Sequence, residues 1–211
     1  MLAVILAIVP ILLAVSFHEL GHGWAARQLG DDTAFRMGRM TMNPLRHVDP
    51  VGTVVVPGLL LLAHSPFLFG WARPVPVDWR RLRHPRRDMA LVALAGPAAN
   101  LLMLAGWLLV ALAGLHGALA GPLAAPLLEM VKFGIMINSV LMLVNLVPVP
   151  PLDGSRVVTA LLPPPLAIRY NRLEPYGLII LAVLLVTGVL GTMLRPLQAG
   201  VGAIVRWVLG G

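Results

Sequence analysis

The sequence predicts a bundle of transmembrane helices, and three observations support this. The 211 residues are 58% hydrophobic and only 12% charged, against roughly 25% charged in ordinary soluble domains. Mean hydropathy is +0.87. Apolar stretches long enough to cross a bilayer alternate with shorter segments that gather the arginines. The expectation is an all-α polytopic membrane protein of about four to six spans, with a re-entrant or short β-containing segment on the cytoplasmic side. One integral-membrane domain covers residues 1–211, with a core over about 1–160 and C-terminal helices over 175–211.

Composition narrows the chemistry further. There is no cysteine, so disulfides, thiolate metal sites and a cysteine nucleophile are excluded. The net charge is +7, from 16 basic and 9 acidic residues, and every base except Lys132 is arginine. These arginines lie between apolar segments, a distribution that fits positive-inside topology and anionic lipid at the cytoplasmic face rather than nucleic acid.

Segment 2–29 is predicted as one long helix, ended by Gly30 and the acidic pair Asp31–Asp32. It lacks the basic start and small-residue cleavage site of a signal peptide. No base precedes its apolar run and Arg27 follows it, which puts the N-terminus outside and residues near 20 towards the cytoplasm. Residues 31–50 form a polar loop in which Phe35, Met37, Met40 and Met42 partly alternate, so short strands are expected over 33–43. The apolar stretch 51–71 has arginines on both sides. Both of its ends therefore face the cytoplasm, and a re-entrant or in-plane hairpin is favoured over a true span.

Segment 88–114 is a clear span. Its Gly96-Pro97-Ala98-Ala99-Asn100 patch offers small residues for close helix contact and one amide for interhelical bonding. A short loop with His116 follows on the external side. Segment 126–147 returns to the cytoplasm and breaks at Pro148, and the Pro-rich stretch 148–174 lies there. Segment 175–191 crosses again. The tail 192–211 suits either a last short span or an interfacial helix. No internal repeat is evident.

The chemistry begins at His18-Glu19-Leu20-Gly21-His22. H-E-x-x-H on a helix sets two imidazoles one turn apart on one face, as a zinc site requires, with a glutamate beside them to handle protons. The almost unbroken apolar run from Leu2 to Phe17 leads straight into it, and soluble zinc hydrolases need no such run. At 1.5 Å per residue His18 lies roughly 25 Å along the helix, inside the membrane but close to one side. Ionisable groups in an apolar span are costly and normally functional. A zinc motif in this setting points to proteolysis within the bilayer.

A hydrolytic zinc usually takes a third protein ligand and a water. Asp31, Asp32, Asp49, Asp78 and Asp88 lie in or beside charged loops, and Glu174 borders a span. Glu129, three residues from Lys132, is explained as an ion pair. Asp153 remains, after a helix that descends to the level of His18 and is broken by prolines 148, 150 and 151. An ordinary turn or helix cap is the competing explanation for an Asp-Gly pair there.

H-E-L-G-H followed by N-L-V-P-V-P-P-L-D-G at 145–154, with G-P-A-A-N at 96–100 between them, resembles the site-2 protease family of intramembrane zinc metalloproteases. N-P-L-R-H-V-D-P-V-G-T at 43–53 and F-G-W-A-R-P-V-P-V at 69–77 are similar to its compact bacterial members. The resemblance covers most of residues 10–160. It implies that His18, His22 and Asp153 bind one zinc ion per chain and that Glu19 is the catalytic base. It also makes Asn145 a candidate for contact with substrate backbone or transition-state oxygen. The sequence departs from better-known members in carrying no PDZ or CBS region. Its extra apolar segment 51–70 belongs only to the compact subgroup.

The expected activity is zinc-dependent endopeptidase cleavage of single-span membrane proteins near the cytoplasmic face, by a multi-pass protein of the cell membrane. Asn138 is assigned to interhelical bonding. His47, with Asp49, is a candidate polar contact at the mouth of the site, against ordinary turn chemistry. Loop 33–43 and the stretch 73–77 could offer strand edges to an extended substrate, the latter on one edge only because of prolines 74 and 76. His64, His84 and His116 are taken as loop or interfacial residues. Two other classes remain. An idle membrane chaperone or scaffold would tend to lose Glu19, which is present. A metal transporter would need polar groups through the depth of several spans, and here they cluster near one face.

Overall fold

The computed structural model describes residues 2–64, 70–115, 121 and 124–209, so the expectation for His116 and part of the 51–71 hairpin fall outside the described residues. Among the described residues three helices are long and apolar enough to cross a bilayer, and a bent helix pair makes a fourth crossing if counted as one span. Helices α1 (Leu2–Gln28), α4 (Pro85–Leu115) and α5 (Ala124–Asn145) form the bundle. At 1.5 Å per residue even α5, with 22 residues, reaches about 33 Å, enough for a hydrocarbon core of about 30 Å. Helix α4 is the hub, packing against α1, α5, α6 (Asp153–Leu161) and α9 (Val189–Leu209).

The distribution of polarity fits a lipid environment. Leu102, Leu109, Ile179 and Val183 face outward, while Ser16, Asp88, Asn100 and Asn138 are buried. A protein dissolved in hydrocarbon has no hydrophobic reason to hide leucine, and strong reason to satisfy its polar groups internally. Small residues let the helices close on one another. A Cβ added at Gly21 would sit 2.6 Å from the Ala95 carbonyl oxygen, and one at Gly134 would sit 2.3 Å from the Trp107 ring. Pro10 and Pro97 lie within α1 and α4, as membrane helices tolerate where neighbours re-satisfy the backbone.

The connection between α1 and α4 departs from expectation in one respect. Among the described residues no strand forms. The stretch expected to hold short strands instead begins with a helical turn, α2 (Thr33–Arg36). Asp31 accepts hydrogen bonds from both Thr33 N and Thr33 Oγ1, and Arg36 N and Met37 N bond back to Asp32 O and Thr33 O. These local bonds satisfy backbone groups that a strand would have to pair with a second strand. Further on, a π-helical turn over Pro50–Val55 runs into α3 (Val56–Leu62). Six and seven residues give about 20 Å of helix, short of a bilayer, in line with a re-entrant or in-plane segment.

After α5 the chain turns through residues 146–152 into α6, then α7 (Pro164–Asn171) and α8 (Gly177–Val186). A break at Thr187–Gly188 bends the following helix α9 by 74°. Gly188 takes a φ of 74° there, the left-handed C-terminal turn that glycine accommodates best. Leu190 and Leu194 of α9 pack with Leu181 of α8 and Leu143 of α5, so the tail belongs to the bundle.

The contact of Gly134 with Trp107 yields a prediction. Gly134→Val should lower the stability of the detergent-solubilised protein by about 1–3 kcal/mol, the usual scale of core overpacking. Gly106→Val, where an added Cβ meets nothing within 4 Å, should leave it nearly unchanged. Thermal unfolding of both variants checks this, and equal melting temperatures would contradict the packing described.

Candidate metal centre

Helical spacing puts His18 and His22 on one face of α1, with ring centroids 4.7 Å apart and the rings edge to face. Their protonation is set by what each Nδ1 meets. His18 Nδ1 lies 2.7 Å from Asn100 Oδ1, and His22 Nδ1 lies 2.8 Å from the Val92 carbonyl oxygen. The Asn100 amide is oriented in turn, because its Nδ2 donates to Ala14 O and to Asn138 Oδ1. Asn138 is oriented by donating to Gly134 O. The chain of amides therefore ends on main-chain carbonyls, which only accept, and its polarity is fixed. In the neutral imidazoles both Nδ1 atoms then carry the hydrogen and both Nε2 atoms present lone pairs.

Those two Nε2 atoms lie 3.1 Å apart. Asp153 closes the set, with Oδ2 at 3.2 Å from His18 Nε2 and Oδ1 at 3.4 Å from His22 Nε2. Its buried Oδ2 has no hydrogen-bond donor. Three electron-rich groups thus converge where no donor serves them all. One proton could satisfy a single contact, whereas a metal ion satisfies the three together. Among the described residues, His18, His22 and Asp153 are the group able to hold a metal. Two imidazoles and a carboxylate suit zinc, and each histidine has the outer partner that metal-ligating histidines usually have.

The rest of the sequence makes room for this arrangement. A Cβ at Gly96 would lie 2.3 Å from His22 Nε2 and 2.7 Å from His18 Cε1, so only glycine lets α4 pass beneath the two rings. Asp153 is delivered by the break after Asn145. There Gly154 lies against Leu146 O and Gly177 against Pro150 O, at 2.3 and 2.0 Å from an added Cβ. The Pro150–Pro151 bond is cis.

Glu19 lies beside the ligands and accepts a 2.6 Å hydrogen bond from Val75 N through Oε2. Residues 71–77 run past it without regular secondary structure, anchored by Trp71 N to Gly52 O and Arg73 N to His47 O. With prolines on both sides of it, Val75 has the one N–H between 74 and 76, and Glu19 takes it. That amide is not an open strand edge. A cavity of about 790 Å³ is lined by His18, Glu19, His22 and Asp153, and also by Asn145 and His47. Asn145 Nδ2 donates to Leu141 O, and His47 Nε2 contacts Thr41 O.

The other acids have structural work. Asp31 accepts from Thr33 and from Asp78 N; Asp49 from Val51 N and Gly52 N; Asp78 from Arg80 N; Asp88 from His84 N. Asp32 pairs with Arg36 and Arg81, and the Arg36 guanidinium beside it holds its carboxyl below the usual carboxylate range. Glu129 pairs with Lys132 and Glu174 with Arg156. Asn138 makes the interhelical bond expected of it, whereas Asn100 does more than its sequence suggested, since its oxygen orients His18. The contacts of Val92 and Val75 come from main-chain atoms and carry no residue-type signal.

The fold and site define a membrane-embedded metalloprotease. The chain belongs to the site-2 protease family: residues 6–188 match the family described as Peptidase family M50. It is 38% identical to a Bacillus subtilis protein named "Putative zinc metalloprotease YwhC", over 94% of this chain and 89% of that one. It is 31% identical to "Putative zinc metalloprotease Rip2" of Mycolicibacterium smegmatis, over 87% of this chain and 67% of the relative. No solved structure matches it.

If Asn100 fixes the His18 tautomer, Asn100→Ala should weaken zinc binding about 10- to 100-fold, the usual effect of losing an outer-sphere partner. Competition with a zinc chelator measures this. Unchanged affinity would show that the amide chain does not tune the site.

Proposed function

We propose that this protein is an intramembrane zinc endopeptidase that hydrolyses peptide bonds in the transmembrane segments of single-span substrates near the cytoplasmic face. The observation that carries this is the convergence of His18 Nε2, His22 Nε2 and the Asp153 carboxylate, with Glu19 beside them, on one cavity inside an apolar bundle. When bound, zinc would supply a Lewis acid for the scissile carbonyl and bring the pKa of its water towards 7.

The protein's own groups divide the remaining tasks. Glu19 takes the proton of the attacking water and later gives it to the leaving amine. Val75 N–H holds Oε2 of that carboxylate and so fixes its orientation. Asn145 spends one amide hydrogen on Leu141 O, and its second is available to substrate backbone or to oxygen developing charge. Asp153 and the imidazoles would hold the metal; the amide chain through Asn100 and Asn138 keeps His18 from turning, and the Val92 carbonyl does the same for His22. Ile11, Val15, Ile137 and Leu141 give the cavity walls the apolar character a membrane segment needs. A substrate helix must unwind locally, because an intact helix hides its carbonyls in hydrogen bonds.

Orientation follows the charges. The arginines between α1 and α4 favour the cytoplasmic side and anionic lipid headgroups, which supports an N-terminus on the outside.

The test pairs two variants. Purified wild type should contain one zinc per chain and cleave a single-span test peptide bearing a helix-breaking residue. Glu19→Gln should keep its zinc and lose activity by about 100- to 10,000-fold, the usual scale for a general base. Asp153→Asn should lose zinc by elemental analysis. Full activity in Glu19→Gln, or unchanged zinc in Asp153→Asn, would refute the assignment.

A further inference from the structure

Arg39 uses its charge differently from its neighbours in the α1–α4 connection. Arg36 and Arg81 pair with Asp32, and Arg87 pairs with Asp88. Arg39 is spent on neutral main chain: one terminal nitrogen, Nη2, donates to Arg73 O at 3.2 Å and to Pro74 O at 3.3 Å. Its Nε is buried, so the base of the guanidinium lies against the protein. A local turn delivers the residue to this place. After α2, Gly38 takes a φ of 62°. Arg39 N then bonds to Ala34 O and Gly38 N to Phe35 O, the paired bonds of a Schellman turn.

The second of these carbonyls links Arg39 to the site. Pro74 C=O and Val75 N–H are the two ends of one planar peptide unit. Arg39 holds the oxygen end, and Glu19 Oε2 holds the hydrogen end at 2.6 Å. A rigid plane gripped at one end resists turning at the other, so the guanidinium sets the direction of the N–H. A cation on the oxygen and a carboxylate on the hydrogen polarise the amide in the same sense, and each bond strengthens the other. The side chains meet at the same level of α1. A Cβ on Gly23, one turn on from Glu19, would lie 3.1 Å from Met40 Cγ and 3.2 Å from Val75 Cγ1. Glycine there lets the segments carrying Arg39 and Val75 close together on the helix. We propose that Arg39 is a positioning residue for the reaction: through the Pro74–Val75 peptide it fixes the carboxylate of Glu19. This rests on the endopeptidase assignment and adds to it a cation that acts only through main chain.

The amide and the reaction can be read separately. Hydrogen exchange at Val75 is followed by mass spectrometry on the zinc-loaded protein in nanodiscs. Lying between two prolines, Val75 has the sole amide of residues 74–76 and is read without overlap. Arg39→Met keeps the apolar stem and loses the donors. It should speed that exchange about 5- to 50-fold and lower kcat on a single-span peptide about 5- to 20-fold, within the range of a hydrogen bond to a charged group. KM and zinc content should stay in place. Arg39→Lys should recover most of both losses, because a single nitrogen serves the two carbonyls and an ammonium can replace it. Val75→Pro removes the N–H and should lower kcat by itself, and adding Arg39→Met to it should change little more. Unchanged exchange or unchanged kcat in Arg39→Met would overturn the proposal. So would additive losses in the double variant, or a loss that falls on KM or zinc instead. Failure of the endopeptidase assignment shows separately, as wild type that never cuts the peptide while exchange at Val75 still responds to Arg39→Met.

Discussion

Two imidazole lone pairs and a carboxylate meet in a medium that cannot screen them, and much of the bundle is arranged so that they can. In water, each group would be solvated and the helices bearing them would be free to move apart. Inside an apolar bundle an unpaired acceptor is expensive, so each needs a partner of defined geometry. Helix α4 provides most of this. Within nine residues it offers the Val92 carbonyl to one histidine, the missing side chain of Gly96 beneath both rings, and the Asn100 amide to the other. Helix α5 then braces Asn100 through Asn138. The hub position of α4 is thus as much a matter of orienting imidazoles as of packing.

The economy of charge follows from the same constraint. With nine acids in 211 residues, few are left over for surface decoration. Five aspartates cap turns or pair with arginines between α1 and the start of α4, two glutamates sit in ion pairs, and Glu19 and Asp153 face the cavity. Elimination leads to Asp153, which the structure groups with His18 and His22, because a membrane protein carries few idle surface carboxylates to blur the count.

What the sequence revealed and what it hid divide along the same line. His18, Glu19, His22 and Asp153 are legible because the H-E-x-x-H motif and an Asp-Gly pair after a proline break are marked by particular side chains at particular spacings. The spans are legible because a bilayer imposes length and hydropathy. The orienting contacts are not, since Val92 and Val75 act through main-chain atoms that any residue would supply. The strands expected over 33–43 failed for a related reason. Alternation of Phe35, Met37, Met40 and Met42 marks a strand only where a partner edge is in reach, and here Asp31 and Asp32 fold the chain into a helical turn first. Asn100 was visible as an interhelical amide, but only three dimensions show that its oxygen faces His18.

The Pro74–Val75–Pro76 run carries a mechanical consequence. Proline rings remove two amides and stiffen the backbone around the third, leaving a single point of attachment between residues 71–77 and Glu19. The Glu19 carboxylate is thereby tethered to a segment more than fifty residues away along the chain. That segment is itself buckled to the turn bearing His47 through Arg73 N. Displacing it by more than about an ångström would break a hydrogen bond of this length. The backbone at one wall of the cavity and the alignment of Glu19 cannot be adjusted independently: what moves the wall also moves the carboxylate.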